Sequence, residues 1–133
     1  MIVVDANVIA YLVIRGEHTE SAERVASRDA DWRAPRLWRS EMLNVLSGYI
    51  RNGTLSVDDA ETLLRRTHLL IKGEITTDEP RVLQLVRDSH CSSYDCEYVA
   101  AAQTLDAPLV TADKKLLSSF PGTAVSMTGF VSS

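Results

Sequence analysis

Ile2-Val3-Val4-Asp5-Ala6-Asn7-Val8-Ile9 begins with three consecutive apolar residues and turns polar at an acid. So short a continuous apolar run suits a strand buried on both faces. Ala6 to Ile14 then has the character of a helix, and Gly16 stands where a helix stop is expected. A doubly buried strand running straight into a helix is the opening unit of a parallel sheet covered by helices.

The same alternation continues outward from there. His18 to Ser27 reads as a second helix, and Trp32 to Pro35 as a short extended piece before a long helix from Leu37 to Asn52. Met42, Val45, Leu46, Tyr49 and Ile50 share one face of that helix, which Gly53 closes. Ser56 and Asp59 form a capping box ahead of a helix with the stripe Ala60, Leu63, Leu64, Thr67, Leu70 and Ile71, ended by Gly73. Glu74 to Thr77 reads as a strand, and Thr77-Asp78-Glu79-Pro80 starts a helix that buries Val82, Leu85 and Val86. Ser92 and Asp95 form a second capping box before a helix through Leu105. A strand from Pro108 to Thr111, a short helix from Asp113 to Phe120 and a strand near Ala124 to Ser126 complete the chain. The expected fold is a three-layer, Rossmann-like α/β unit with a central, mostly parallel sheet of four to five short strands flanked by helices.

With 133 residues, 45% hydrophobic and 24% charged, the chain suits one soluble domain with one core. No apolar run approaches the roughly 18 residues needed to cross a membrane. The start lacks the basic leader of a signal peptide, so the expected location is cytoplasmic. Cys91 and Cys96 do not have zinc-ligand spacing and no second pair completes a site, which leaves them as packing residues. His18, His68 and His90 are scattered outside any H-E-x-x-H pattern. The net charge of −4 speaks against a nucleic-acid partner, unless the acids belong to a site that a metal neutralises.

Four acids occupy positions that suggest such a site. Asp5 directly follows the first strand, and Asp113 follows the strand ending at Thr111 after one residue. Both project at the carboxyl edge of the sheet, where sites in open α/β sheets lie. Each could equally cap the helix that follows it. Asp95 shares a helix face with Tyr98, Val99 and Ala102, so it heads an otherwise apolar, inward face with no basic partner nearby. The helix dipole and the cap explain an acid in the first turn, but not its inward aim. Glu41 lies one turn into the long helix, at the flank of the Met42 stripe; alone it would be a solvated surface residue.

Four converging carboxylates repel one another, at roughly 3 kcal/mol per pair at about 5 Å and an effective dielectric near 20. Such a cluster persists if some carboxyls stay protonated or if a divalent cation binds. Oxygen ligands without Cys or His suit hard ions, Mg²⁺ or Mn²⁺. The cluster also accounts for as much negative charge as the whole chain carries.

Val3-Val4-Asp5-Ala6-Asn7-Val8-Ile9, Ser40-Glu41-Met42-Leu43-Asn44-Val45-Leu46, Tyr94-Asp95-Cys96-Glu97-Tyr98-Val99-Ala100-Ala101-Ala102 and Leu109-Val110-Thr111-Ala112-Asp113 together resemble the PIN-domain family. More narrowly, they resemble the VapC ribonuclease toxins of bacterial toxin–antitoxin pairs. The motifs run from residue 3 to residue 113 in the family's order; each is weak alone, and the four in order are specific. The resemblance implies a single PIN domain over residues 1–133, an acidic Mg²⁺ or Mn²⁺ site, and RNA cleavage by a metal-activated water that leaves 5′-phosphate and 3′-hydroxyl ends. It implies that Asp5, Glu41, Asp95 and Asp113 are the catalytic and metal-binding acids, with Asn7 and Thr111 in support. Cys96 stands where the family commonly has alanine, a small change that touches no ligand. The resemblance also implies a homodimer, and an antitoxin that lays its C-terminal segment across the site in a heterotetramer or larger assembly. Arg36, Arg39, Arg51, Lys114 and Lys115 are candidates for the RNA backbone, Arg39 and Lys114 first because they flank site acids; a solvated basic surface is the plainer reading.

Three rivals remain at this level. A haloacid-dehalogenase-type phosphatase also begins with a strand and an Asp, but it needs a second Asp where Asn7 stands. A PIN nuclease that matures RNA without being a toxin would look the same in sequence. A degenerate PIN fold acting only as a binding module would usually have lost site acids, and all four are present.

Overall fold

A computed structural model describes all residues from Met1 to Ser133. Five short strands form one sheet, and eight helices cover it. In chain order these are β1 (Ile2–Val4), α1 (Ala6–Val13), α2 (Thr19–Arg28), β2 (Trp32–Pro35), α3 (Trp38–Arg51), α4 (Val57–Leu70), β3 (Ile71–Ile75), α5 (Glu79–Arg87), α6 (Ser93–Leu105), β4 (Leu109–Val110), α7 (Lys114–Ser119), β5 (Ala124–Val125) and α8 (Met127–Ser132). The sheet order is β3-β2-β1-β4-β5. Every pairing is parallel. The expected three-layer α/β architecture is therefore present.

β1 lies at the centre, and all three of its residues are buried, as their unbroken apolar run requires. Ile2, Val3 and Val4 join one core of 29 buried residues that includes Trp32, Trp38, Met42, Val99 and Leu109. Burying each aliphatic side chain stabilises the fold by about 1.5–3 kcal/mol before entropy is counted. The chain builds β2 and β3 to one side of β1 and returns to build β4 and β5 on the other. The reversal between β1 and β4 is the switch point at which ligands bind in sheets of this kind.

The sequence reading places the third strand at Glu74 to Thr77 and carries the preceding helix to Gly73; the structure moves both. Helix α4 ends at Leu70, Ile71 is already extended, and β3 occupies Ile71–Ile75. Partnership with β2 decides this, because Trp32 pairs with Ile71 and Pro35 with Ile75. Gly73 is therefore no helix stop. The Arg33 side chain crosses it so closely that a Cβ at this position would stand 3.0 Å from Arg33 Cδ. The last helix, α8, is absent from the sequence reading. Ser126 caps it by accepting the Gly129 N–H at 2.9 Å, and α8 packs on α2, where the Arg28 guanidinium lies 5.5 Å from the Phe130 ring centroid. No helix is long and apolar enough to cross a membrane.

Candidate active site

Asp5, Glu41, Asp95 and Asp113 come from four different elements and line one cleft of about 430 Å³, together with Asn7. The cleft lies beyond the carboxyl ends of β1 and β4. Neither Lys nor Arg nor His contributes to its lining, so its charged groups are these acids alone.

Asp5 is the most enclosed of the four, at 7% exposure. One oxygen, Oδ1, accepts the Val8 N–H at 3.0 Å and caps α1. The other, Oδ2, accepts the Thr111 hydroxyl. The sheet register dictates this partner: Val3 pairs with Leu109 and Val4 with Val110, so the next step sets Asp5 beside Thr111. Burial pushes the Asp5 carboxyl up to about 6, the charges of Glu41 and Asp113 add to the rise, and the bonds from Thr111 and Val8 oppose it.

Thr111 links two acids. Its Oγ1 donates to Asp5 and accepts the Asp113 N–H at 3.0 Å. Asp113 then turns its Oδ1 to the first turn of α7, accepting from Lys115 at 2.8 Å and from Leu116 at 3.3 Å. Its Oδ2 makes no hydrogen bond. Both strand-end acids are thus caps and cleft residues at once, and the two readings of their position do not compete.

Glu41 stands in the first turn of α3 and is half-buried. The Tyr98 hydroxyl donates to its Oε1 at 2.6 Å. Burial raises the Glu41 carboxyl above its ordinary value, the Asp95 and Glu97 charges raise it further, and the Tyr98 bond pulls it down. Tyr98 is 2% exposed. Sequence patterning assigns it to the apolar face of α6, and nothing in that pattern shows that its hydroxyl reaches a residue 57 positions away.

Asp95 corrects one expectation. The Ser92 hydroxyl accepts the Asp95 N–H at 3.1 Å, but the Asp95 carboxylate does not return to the Ser92 N–H, so the second capping box is only half made. The Ser56/Asp59 box on α4 closes in both directions, at 3.0 and 3.4 Å. The same residue pattern therefore serves two ends: Asp59 completes a cap, whereas Asp95 leaves its carboxylate unpartnered in the cleft.

Asn7 is exposed at the cleft rim and its side chain makes no hydrogen bond. Arg39 faces elsewhere: its Nε donates to Glu74 Oε2 at 2.9 Å, and its second arm meets the other oxygen of Glu74. That fork ties α3 to β3, and Arg39 does not line the cleft. Lys114 is exposed beside Asp113 and forms no ion pair.

The cleft's donors toward a metal are carboxylate oxygens, with amide and hydroxyl oxygens near them and no sulfur or imidazole. That set suits a hard cation. No three acidic, His or Cys side chains stand close enough to enclose an ion. An open arrangement in which one or two carboxylates bind directly, and waters fill the other positions, is the usual habit of Mg²⁺.

A parallel α/β sheet with a carboxylate-lined cleft at its switch point defines the class of this protein, and comparison with known proteins narrows it. The chain belongs to the PIN domain family, which matches residues 2–120. It is 32% identical over 124 residues to Ribonuclease VapC3 of Pyrobaculum aerophilum, across 90% of this chain and 95% of that one. The crystal structure of PAE2754 from the same organism superposes with a TM-score of 0.78 at 21% identity, covering 98% of this chain and 92% of that one. A toxin–antitoxin complex from Klebsiella pneumoniae contains a chain with a TM-score of 0.69 at 17% identity, covering 96% of this chain and 98% of that one. At those identities the two solved structures support the fold alone.

Proposed function

We propose that this chain is a Mg²⁺- or Mn²⁺-dependent endoribonuclease and the toxin of a toxin–antitoxin pair, a cytoplasmic protein whose residues 1–133 act as a single PIN domain. The observation that carries this reading is the convergence of Asp5, Glu41, Asp95 and Asp113 on one cleft without a basic residue to balance them. The likeness to a protein named a ribonuclease supports RNA as the substrate. The same relative bears the name VapC, that of the toxins of toxin–antitoxin pairs which the sequence motifs resemble, and this supports an antitoxin partner.

When bound, the ion supplies neutralisation of the phosphate and an acidified water for in-line attack. Asp5, Asp95 and Asp113 would hold it, one or two of them directly and the rest through water. Asp5 and Asp113 are kept at fixed separation by Thr111, and Asp95 offers a carboxylate that no cap consumes. Glu41, steadied by Tyr98, holds a second ion or orients the attacking water. Free of its antitoxin, the nuclease inhibits translation or growth; bound, it forms a homodimer-based heterotetramer or larger assembly. Mapping new 5′ ends in cellular RNA after brief induction tests the reading, with Asp5→Asn as control. Ends that appear with the wild type alone, together with growth arrest, support it. Equal ends from both proteins contradict it.

A further inference from the structure

A second cleft, of about 250 Å³, opens directly beside the acidic one, and Asn7 and Val45 line both. Helices α1 and α3 and the segment 14–18 between α1 and α2 make its walls. On α1, Asn7 and Tyr11 stand four positions apart, and on α3 Glu41, Val45 and Tyr49 recur at every fourth position; Arg15 lies beyond the end of α1, where Ile14 is already extended. Each series therefore keeps to one side of its helix. The trough begins at the carboxylates and ends at rings.

The chemistry changes along it. The ring centroids of Tyr11 and His18 lie 4.5 Å apart at 40°, and Tyr49 lines the same cleft. The His18 side chain is 49% exposed, and Glu17 lies against its Nε2 at 3.4 Å. Arg15 is 82% exposed, with one guanidinium arm on Glu23 at 3.1 Å. Half-open rings beside an exposed guanidinium are what single-stranded nucleic acid uses: bases stack on aromatic faces, and a cation follows the phosphates. Rings at this spacing can also simply pack two helices, but packing does not require His18 to stay half in solvent at the end of a trough leading from the acids.

We propose that the Tyr11–His18–Tyr49 cleft is a base-stacking subsite for single-stranded RNA, holding a nucleotide next to the one cut at the acids, with Arg15 on the backbone. The choice of RNA rests on the nuclease reading; the stacking geometry does not.

The test measures binding of two fluorescent decamers, oligouridine and the same ribose-phosphate backbone without bases, in Ca²⁺. The proposal predicts that the wild type prefers the strand with bases by about tenfold or more. His18→Ala and Tyr11→Leu should abolish that preference while leaving affinity for the abasic strand unchanged. Arg15→Gln should weaken both strands alike. Should Tyr11→Leu fail to fold, His18→Ala decides, since its ring is half in solvent. Full base preference in His18→Ala, or no preference in the wild type, overturns the proposal and assigns the cleft to another occupant, such as a protein segment. RNA cleavage in Mg²⁺ is measured in parallel. Base preference through these rings without cleavage sinks the proposed function and leaves this inference standing; cleavage with unaltered variants does the reverse.

Discussion

The Tyr98 hydroxyl meets Oε1 of Glu41 at 2.6 Å, joining the interior of α6 to the first turn of α3. This bond fixes one oxygen of a half-buried acid and leaves the other for the cleft.

Tyr98→Phe should cost both fold and function. A hydrogen bond to a charged group contributes about 1.5–3 kcal/mol to stability, so the melting temperature should fall although the ring still fills its place. Cleavage by the folded variant should fall as well, because Glu41 loses the bond that orients it. Steady-state kinetics and a thermal melt on the same preparation check this. A variant that cuts at the wild-type rate would remove Tyr98 from the site.

Thr111→Val tests the link between the strand-end acids. The substitution keeps the shape and removes the hydroxyl, leaving Asp5 Oδ2 and the Asp113 N–H without a partner. The expected loss is about 1–3 kcal/mol in urea unfolding. Thr111→Ser should restore most of it.

Asp5 sets a pH dependence whose sign is definite. Its carboxyl rises from 3.8 to about 6 in the fold, so the native state holds the proton more tightly than the unfolded chain does. Its stabilising contribution is complete below about pH 4 and lost as pH rises through about 6. Across that window the chelated wild type should lose on the order of 3 kcal/mol relative to Asp5→Asn. Melts in chelator from pH 4 to 8, comparing the two proteins, measure this. A difference that does not change with pH would contradict the burial of Asp5.

Asp95 and Asp59 should respond oppositely, although both stand at the third position of a helix begun by Ser. Asp59→Ala breaks a closed box and should destabilise by about 1 kcal/mol. Asp95→Asn leaves the Ser92 bond in place and relieves repulsion with Glu41, so the metal-free protein should keep its stability within about 0.5 kcal/mol. Cleavage should nevertheless fall. Urea titrations of both variants in chelator separate the two cases.

That contrast also marks how much the sequence discloses. The β1 run, the helix stripes and the strand-ending positions of Asp5 and Asp113 follow from periodicity, because burial on a strand or helix imposes it. The start of β3 does not, since Ile71 extends the helical stripe and Gly73 reads as its stop, until β2 pairs with this segment. Helix α8 is hidden by its short length and by Gly129 in its interior. At the site, the acids are legible one at a time; the Thr111 link, the Tyr98 hydroxyl and the Arg39–Glu74 fork are long-range contacts that no local pattern encodes.

Calorimetric titration of Mn²⁺ into the chelator-stripped protein at pH 7.5 tests the central claim most directly, because it reads the acids without needing a substrate. The wild type should bind with a saturating isotherm, and Asp5→Asn and Asp95→Asn should each weaken that binding at least tenfold while melting as folded proteins. An unchanged isotherm in both variants would contradict the assignment of this cleft as a metal site.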